Sequence, residues 1–99
     1  MAERTVQVRI EGRVQGVGYR AFAEMEAHGL GLAGWVRNRR DGSVEAVLAG
    51  EGPFVDNMID ACRAGTSVAR ATRIDIEDAD EPELTQRSSG VRFAVLPTA

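Results

Sequence analysis

An α+β sandwich, with two helices on one face of a mainly antiparallel sheet, is the fold class that this 99-residue sequence predicts. Three observations lead to it. Alternating apolar and polar residues mark strands toward both ends of the chain. Two stretches with apolar residues at helical spacing lie between them. An Asp-Gly pair joins two strand-like runs in the middle.

The first strand is read from Val6, Val8 and Ile10 alternating with Thr5, Gln7, Arg9 and Glu11, a period of two that gives one buried and one wet face. Gly12-Arg13-Val14-Gln15-Gly16-Val17-Gly18 breaks it. From about Arg20, Ala21-Phe22-Ala23-Glu24-Met25-Glu26-Ala27-His28 favours helix, with Phe22, Met25 and Leu30 on its inner face and Gly29 and Gly31 as stops. Gly34 to Asn38 and Ser43 to Leu48 flank Asp41-Gly42, whose tolerance of positive φ makes a hairpin. Gly50-Glu51-Gly52-Pro53 leads to a second helix with proline in its first turn, and Phe54 or Val55, Met58, Ile59 and Cys62 recur at helical spacing up to Gly65. Ala71 to Glu77 alternates again, Asp78 to Glu83 reads as a solvated acidic loop, and Gly90 to Leu96 reads as a last strand. Strand, helix, strand, strand, helix, strand, with one more strand at the end, is the split βαβ, ferredoxin-like pattern. One domain over residues 1–99 is expected.

Composition narrows the function. Apolar residues at 43% and charged residues at 27% fit a packed globular chain. The net charge of −3 has the wrong sign for a protein that binds by neutralising a nucleic-acid backbone. Every basic residue is arginine. Without lysine there is no Walker-type phosphate loop, no Schiff base and no lysine general base. Cys62, the only cysteine, excludes an internal disulfide and a Cys-rich zinc site. No apolar run approaches the roughly 20 residues of a membrane span, and the first residues lack a secretory pattern, so a cytoplasmic location and no membrane partner are expected.

The stretch from Gln15 to Arg20 carries the chemistry. Glycines at positions 16 and 18, between a strand end and a helix start, let backbone N–H groups turn inward as an anion-binding concavity. The helix adds free N–H groups and its positive dipole end, and Arg20 adds a planar fork matched to phosphate oxygens. A sharp turn accounts for the glycines alone, but a cation at a helix start is unfavourable unless an anion offsets it. Gly16-x-Gly18-x-x-Ala21 also matches the loose dinucleotide fingerprint. That match is rejected, since the dinucleotide site needs a doubly wound parallel sheet and Asp41 serves the hairpin. Asn38, taken alone, reads as a turn residue ahead of Asp41-Gly42.

With those residues identified, the chain closely resembles the acylphosphatase family. Gly12-Arg13-Val14-Gln15-Gly16-Val17-Gly18-Tyr19-Arg20 is similar to that family's first signature. Gly29-Leu30 and Gly34-Trp35-Val36-Arg37-Asn38, followed by Asp41-Gly42-Ser43-Val44-Glu45, are similar to its second. The chain departs from the pattern at Gly65-Thr66-Ser67, where many relatives have Gly-Pro-Pro, and Asp78 to Ser89 has no counterpart pattern. The resemblance implies hydrolysis of an acyl phosphate to a carboxylate and inorganic phosphate, with no metal and no organic cofactor. It implies that the backbone amides of Gln15, Gly16, Val17, Gly18, Tyr19 and Arg20, with the Arg20 side chain, bind the phosphoryl group. It implies that Asn38 positions the attacking water.

The remaining candidates read as structural. Tyr19 and Trp35 fit core or site-wall positions, and Arg37, Arg39 and Arg40 fit either a positive field around the substrate or a solvated hairpin end. His28 suits a helix C-terminus. Cys62 lacks the arginine of a Cys-x₅-Arg phosphatase, since that position is Val68, and fits a packed thiol. A phosphate-binding regulatory or maturation module and an RRM-like RNA binder are the competing classes. The second needs exposed aromatics and a basic face, which Gln7, Arg9 and Glu11 do not provide. A small-molecule substrate, no nucleic acid and a monomeric state are expected.

Overall fold

The computed structural model describes residues 3–79 and 92–99. In chain order the elements are β1 (Glu3–Arg13), α1 (Tyr19–Gly29), β2 (Ala33–Asn38), β3 (Val44–Glu51), α2 (Gly52–Ala64), β4 (Arg70–Asp78) and β5 (Phe93–Val95). The sheet runs β4-β1-β3-β2-β5. β1 pairs antiparallel with β3 and β4, β2 pairs antiparallel with β3, and β5 joins β2 in parallel. This is the predicted ferredoxin-like α+β architecture with one added edge strand.

Alternation places the core. Val6, Val8 and Ile10 of β1, Val36 of β2, and Val44, Ala46 and Leu48 of β3 are buried on one face. Val55, Met58, Ile59 and Cys62 of α2 close over them. Each of these larger side chains contributes about 1.5–3 kcal/mol when fully buried. The odd-numbered positions Trp35, Val47 and Ala49 point the other way and form a second cluster with Ala33, Ala94 and Leu96.

Several expected boundaries move. β1 runs past Glu11 to Arg13, because a bulge between Glu11 and Gly12 lets it keep pairing with Ala71 and Arg70. β3 runs past Leu48 to Glu51, since Gly50 and Glu51 continue the ladder with β1. The inner face of α1 is Tyr19, Ala23 and Ala27, with Phe22 and Leu30 packed at its margin. Met25 is not on that face and is 71% exposed. Small alanines let α1 lie close on β2 and β5, and four-residue spacing from Tyr19 puts Met25 on the outer side. In α2 the choice between Phe54 and Val55 falls to Val55, with Phe54 exposed. Gly65-Thr66-Ser67 forms a side-chain-capped turn in which Thr66 Oγ1 accepts from Val68 N and Ala69 N. Asp78 ends β4 instead of opening a loop. The rest of the acidic stretch from residue 80, and Gly90 and Val91 of the expected last strand, lie outside the described residues. Among the described residues no helix is long and apolar enough to cross a membrane.

Candidate active site

The strand-to-helix loop owes its shape to two glycines. Gly16 and Gly18 have φ of 73° and 79°, the left-handed region that side chains disfavour. Gly18 is the N-cap of α1, with Phe22 N donating to its carbonyl. No side chain caps this end. The backbone N–H groups from Gly16 to Ala21 meet no acceptor among the described residues, and the first turn of α1 carries no acidic residue. A run of unpaired donors at a helix start presents partial positive charge to whatever lies in front of it.

In front of it is a pocket of about 310 Å³ lined by Val14, Gly16, Gly18, Tyr19, Arg20, Ala21, Glu24, Asn38 and Val95. The loop and the end of β2 thus meet at one opening, bringing Arg20 and Asn38 together across it. Arg20 forms no ion pair or hydrogen bond with any described residue. Asn38 shares the helix-facing side of β2 with Val36. Its Oδ1 is buried and has no hydrogen-bond partner among the described residues. Such an oxygen costs about 1–3 kcal/mol and calls for an explanation.

Not every side chain of this loop lines the pocket. Val17 packs against the core instead. Gln15 is turned toward the β2–β3 hairpin, where its Nε2 donates to Arg39 O and Ser43 O at 2.7 and 2.8 Å. Tyr19 lines the pocket, while its hydroxyl is buried and donates to Cys62 O at 2.9 Å. Burial, reinforced by Cys62, pushes this phenol well above its ordinary pKa, so it holds its proton. Burial likewise raises the Cys62 thiol, against the Tyr19 hydrogen bond, leaving an inert core group. Trp35 is fully buried on the opposite face of the sheet, under the Arg37 guanidinium at 4.7 Å.

That opposite face holds a charged cluster. Arg37 Nε and Arg39 Nη1 each donate to Glu45 Oε1 at 2.9 Å, and Gln7 Nε2 donates to Glu45 Oε2. Burial would raise the Glu45 carboxyl, but the donors from Arg39, Arg37 and Gln7 outweigh it and hold the group below the usual glutamate range. Arg37 and Arg39 are therefore engaged with Glu45, and Arg40 is exposed at the turn. His28 sits in the last turn of α1, 4.0 Å from Glu24 and edge-on to Phe93, away from the pocket lining. Sequence reasoning missed Val14, Ala21, Glu24 and Val95 as pocket residues. Glu24 was discoverable, since it lies one helical turn after Arg20 and so shares its face. Val95 arrives through the parallel pairing of β5 with β2, which no local pattern announces. No group of three or more His, Cys, Asp or Glu among the described residues is placed to hold a metal ion.

A family model described as Acylphosphatase matches residues 6–90. A curated acylphosphatase from Rhodopseudomonas palustris is 54% identical over 98 residues, spanning 99% of each chain. Another from Bradyrhizobium diazoefficiens is 51% identical over 98 residues with the same coverage. Among solved structures, the acylphosphatase from Bacillus subtilis matches with a TM-score of 0.80 at 32% identity, over 96% of this chain and 99% of that one. Full-length HypF in its phosphate- and nucleotide-bound form matches over 98% of this chain and 12% of that one, with a TM-score of 0.82. Its 22% identity makes this a likeness of fold.

Proposed function

The chain belongs to the acylphosphatase family and is a hydrolase of acyl phosphates, and we propose that Arg20 and the loop amides bind the phosphoryl group while Asn38 positions the attacking water. The observation that carries this division of labour is the pairing of unspent groups around one pocket. N–H groups and a guanidinium without partners among the described residues stand at the loop, and a carboxamide oxygen likewise without a described partner stands at the end of β2.

Each group has a physical part. The phosphoryl oxygens take the N–H groups of Gly16 to Arg20 and the Arg20 fork, which removes the unfavourable placement of a cation at a helix start. Charge that builds on the phosphoryl and bridging oxygens as the bond breaks is stabilised by donors already in place. Asn38 can present Oδ1 or Nδ2 to a water, because its terminal torsion is broad and roughly two-fold. A held and aimed water gains through orientation rather than basicity. Its oxygen bonds to phosphorus, the bond from phosphorus to the acyl oxygen breaks, and the carboxylate leaves. The water's proton passes to a phosphoryl oxygen, so that R–CO–OPO₃²⁻ and H₂O give R–COO⁻ and H₂PO₄⁻. No side chain needs to act as base. The Tyr19 phenol holds its proton too tightly, and His28 does not line the pocket.

The test uses benzoyl phosphate hydrolysis in the presence of chelator, with inorganic phosphate as competing product. Asn38→Ala should lower kcat by ~10²-fold with KM and phosphate inhibition nearly unchanged. Arg20→Ala should abolish phosphate inhibition. Undiminished kcat in Asn38→Ala would remove the water-positioning role, and intact phosphate inhibition in Arg20→Ala would remove the binding role.

A further inference from the structure

Gln15 lies inside the phosphoryl-binding segment, yet its side chain does not line the pocket. Its carboxamide reaches across to the β2–β3 turn and spends both of its N–H groups there, on Arg39 O at 2.7 Å and Ser43 O at 2.8 Å. Those two carbonyls are the two ends of the turn. Arg39 N donates to Ser43 O at 2.8 Å and Gly42 N donates to Arg39 O at 3.1 Å, so one Gln15 amide group binds the already closed neck of the hairpin. The first of these carbonyls belongs to the residue immediately after Asn38.

We infer that Gln15 is a positioning residue that fixes the distance between the phosphoryl loop and Asn38, acting as a crosslink between two segments that otherwise share no hydrogen bond. Among the described residues, no other hydrogen bond joins residues 14–18 to residues 39–43. The rest of the turn is pinned from elsewhere. Ala99 N donates to Asn38 O at 3.0 Å, Arg40 N donates to Ala99 O at 2.8 Å, and Asp41 Oδ1 accepts from Ser43 N and Oγ. The loop itself is fixed at Val14, buried in the core, and at Tyr19, tied to Cys62, with Val17 packed against the core between them. The four residues between these anchors include the two left-handed glycines. Gln15 is what relates that loop to the hairpin.

The chemistry makes this separation matter. An in-line attack needs the water oxygen about 3–3.5 Å from phosphorus, and a 1 Å misplacement can cost ~10²-fold. Phosphorus is held by the loop and water by Asn38, so their spacing is the reaction coordinate's starting length. Glutamine suits the task because a primary amide offers two donors from one nitrogen. Glutamate there would set an anion against two carbonyl oxygens.

This inference rests on the roles given above to Arg20 and Asn38, and a double-mutant cycle separates the two. In Gln15→Ala and in the near-isosteric Gln15→Met, kcat for benzoyl phosphate should fall ten-fold or more. The inhibition constant of inorganic phosphate should stay within about three-fold, because the loop amides and Arg20 remain. In an Asn38→Ala background the same Gln15 change should alter kcat by less than about two-fold, since there is no longer an aimed water to misplace. Assays run well below each variant's melting temperature keep unfolding out of the comparison. Unchanged kcat in Gln15→Met, an equal Gln15 effect with and without Asn38, or loss of phosphate inhibition in step with kcat would each overturn the crosslink. Undiminished kcat in Asn38→Ala alone would instead overturn the site reading, and this inference with it.

Discussion

Arg20 stands at the second position of α1, where the helix dipole repels it and no described side chain neutralises it. A cation so placed costs about 0.3–1 kcal/mol. A residue retained for folding would not sit there, whereas one retained for a dianionic ligand would. Arg20→Ala is therefore expected to melt at the same temperature as the parent or a few degrees higher in phosphate-free buffer, while losing phosphate binding. Added phosphate should raise the melting temperature of the parent and not of the variant. Differential scanning fluorimetry with and without phosphate reads both effects. A substantial fall in phosphate-free stability would show that Arg20 serves the fold. The counterpart is Asn38, whose Oδ1, without a partner among the described residues, is likewise a cost to the free protein.

Elements differ in how far they can be read from their residues, and Gly34 shows where reading stops. It lies in β2 with φ of 138°, and a Cβ there would stand 1.8 Å from Val47 O on β3. Gly34→Ala should cost about 3 kcal/mol or more, combining backbone strain with forced separation of two strands. Gly42 at the hairpin tip also has positive φ, 95°, but open space around it. Gly42→Ala should cost only about 1–2 kcal/mol. Urea denaturation of the pair isolates the clash, and equal losses would refute it. From the sequence Gly34 is one letter of a motif, because the contact that demands it comes from the β2–β3 register. The same limit explains other outcomes. β1 was legible, since one of its faces is buried and its alternation is unbroken. β3 shows no such alternation, because Val44 to Gly50 are buried on both faces. The α1 face was misjudged by favouring the larger Met25 over Ala23 and Ala27. At the candidate site, the glycines and Arg20 were nameable from local pattern, whereas Asn38, which taken alone reads as a turn residue, was nameable only through the family resemblance. The Gln15 crosslink and the Glu45 cluster depend on which strands become neighbours, which no local pattern contains.

At the scale of the whole molecule, Glu45 makes the stability of the fold depend on acid. Its side chain is 9% exposed, and it binds Arg37 and Arg39, the residues on either side of Asn38, across the β2–β3 register. Its pKa is depressed in the folded state, so the unfolded chain binds a proton at higher pH than the folded one does. The stabilisation is complete above the ordinary glutamate pKa of about 4.3 and is lost as pH falls through the lower folded value. Asp41, held low by the Ser43 hydroxyl and amide with help from Arg9 and Arg39 against slight desolvation, moves in the same direction. The melting temperature should hold steady above pH 5 and fall steeply below about 4. Glu45→Gln isolates the larger contribution. At neutral pH it leaves two guanidinium groups facing a neutral amide. The arginines keep 17% and 34% exposure, so water screens part of the loss. The expected cost is about 1–3 kcal/mol, or roughly 4–20 °C in melting temperature for a domain of this size. The decisive feature is convergence. Once Glu45 is protonated in the parent, parent and variant carry the same charge at this position, so their melting curves should approach each other below pH 4. A gap of constant width from pH 7 to pH 3 would mean that the carboxylate's charge contributes nothing to holding β1, β2 and β3 together on this face. It would then leave the packing of the side chain as the whole effect.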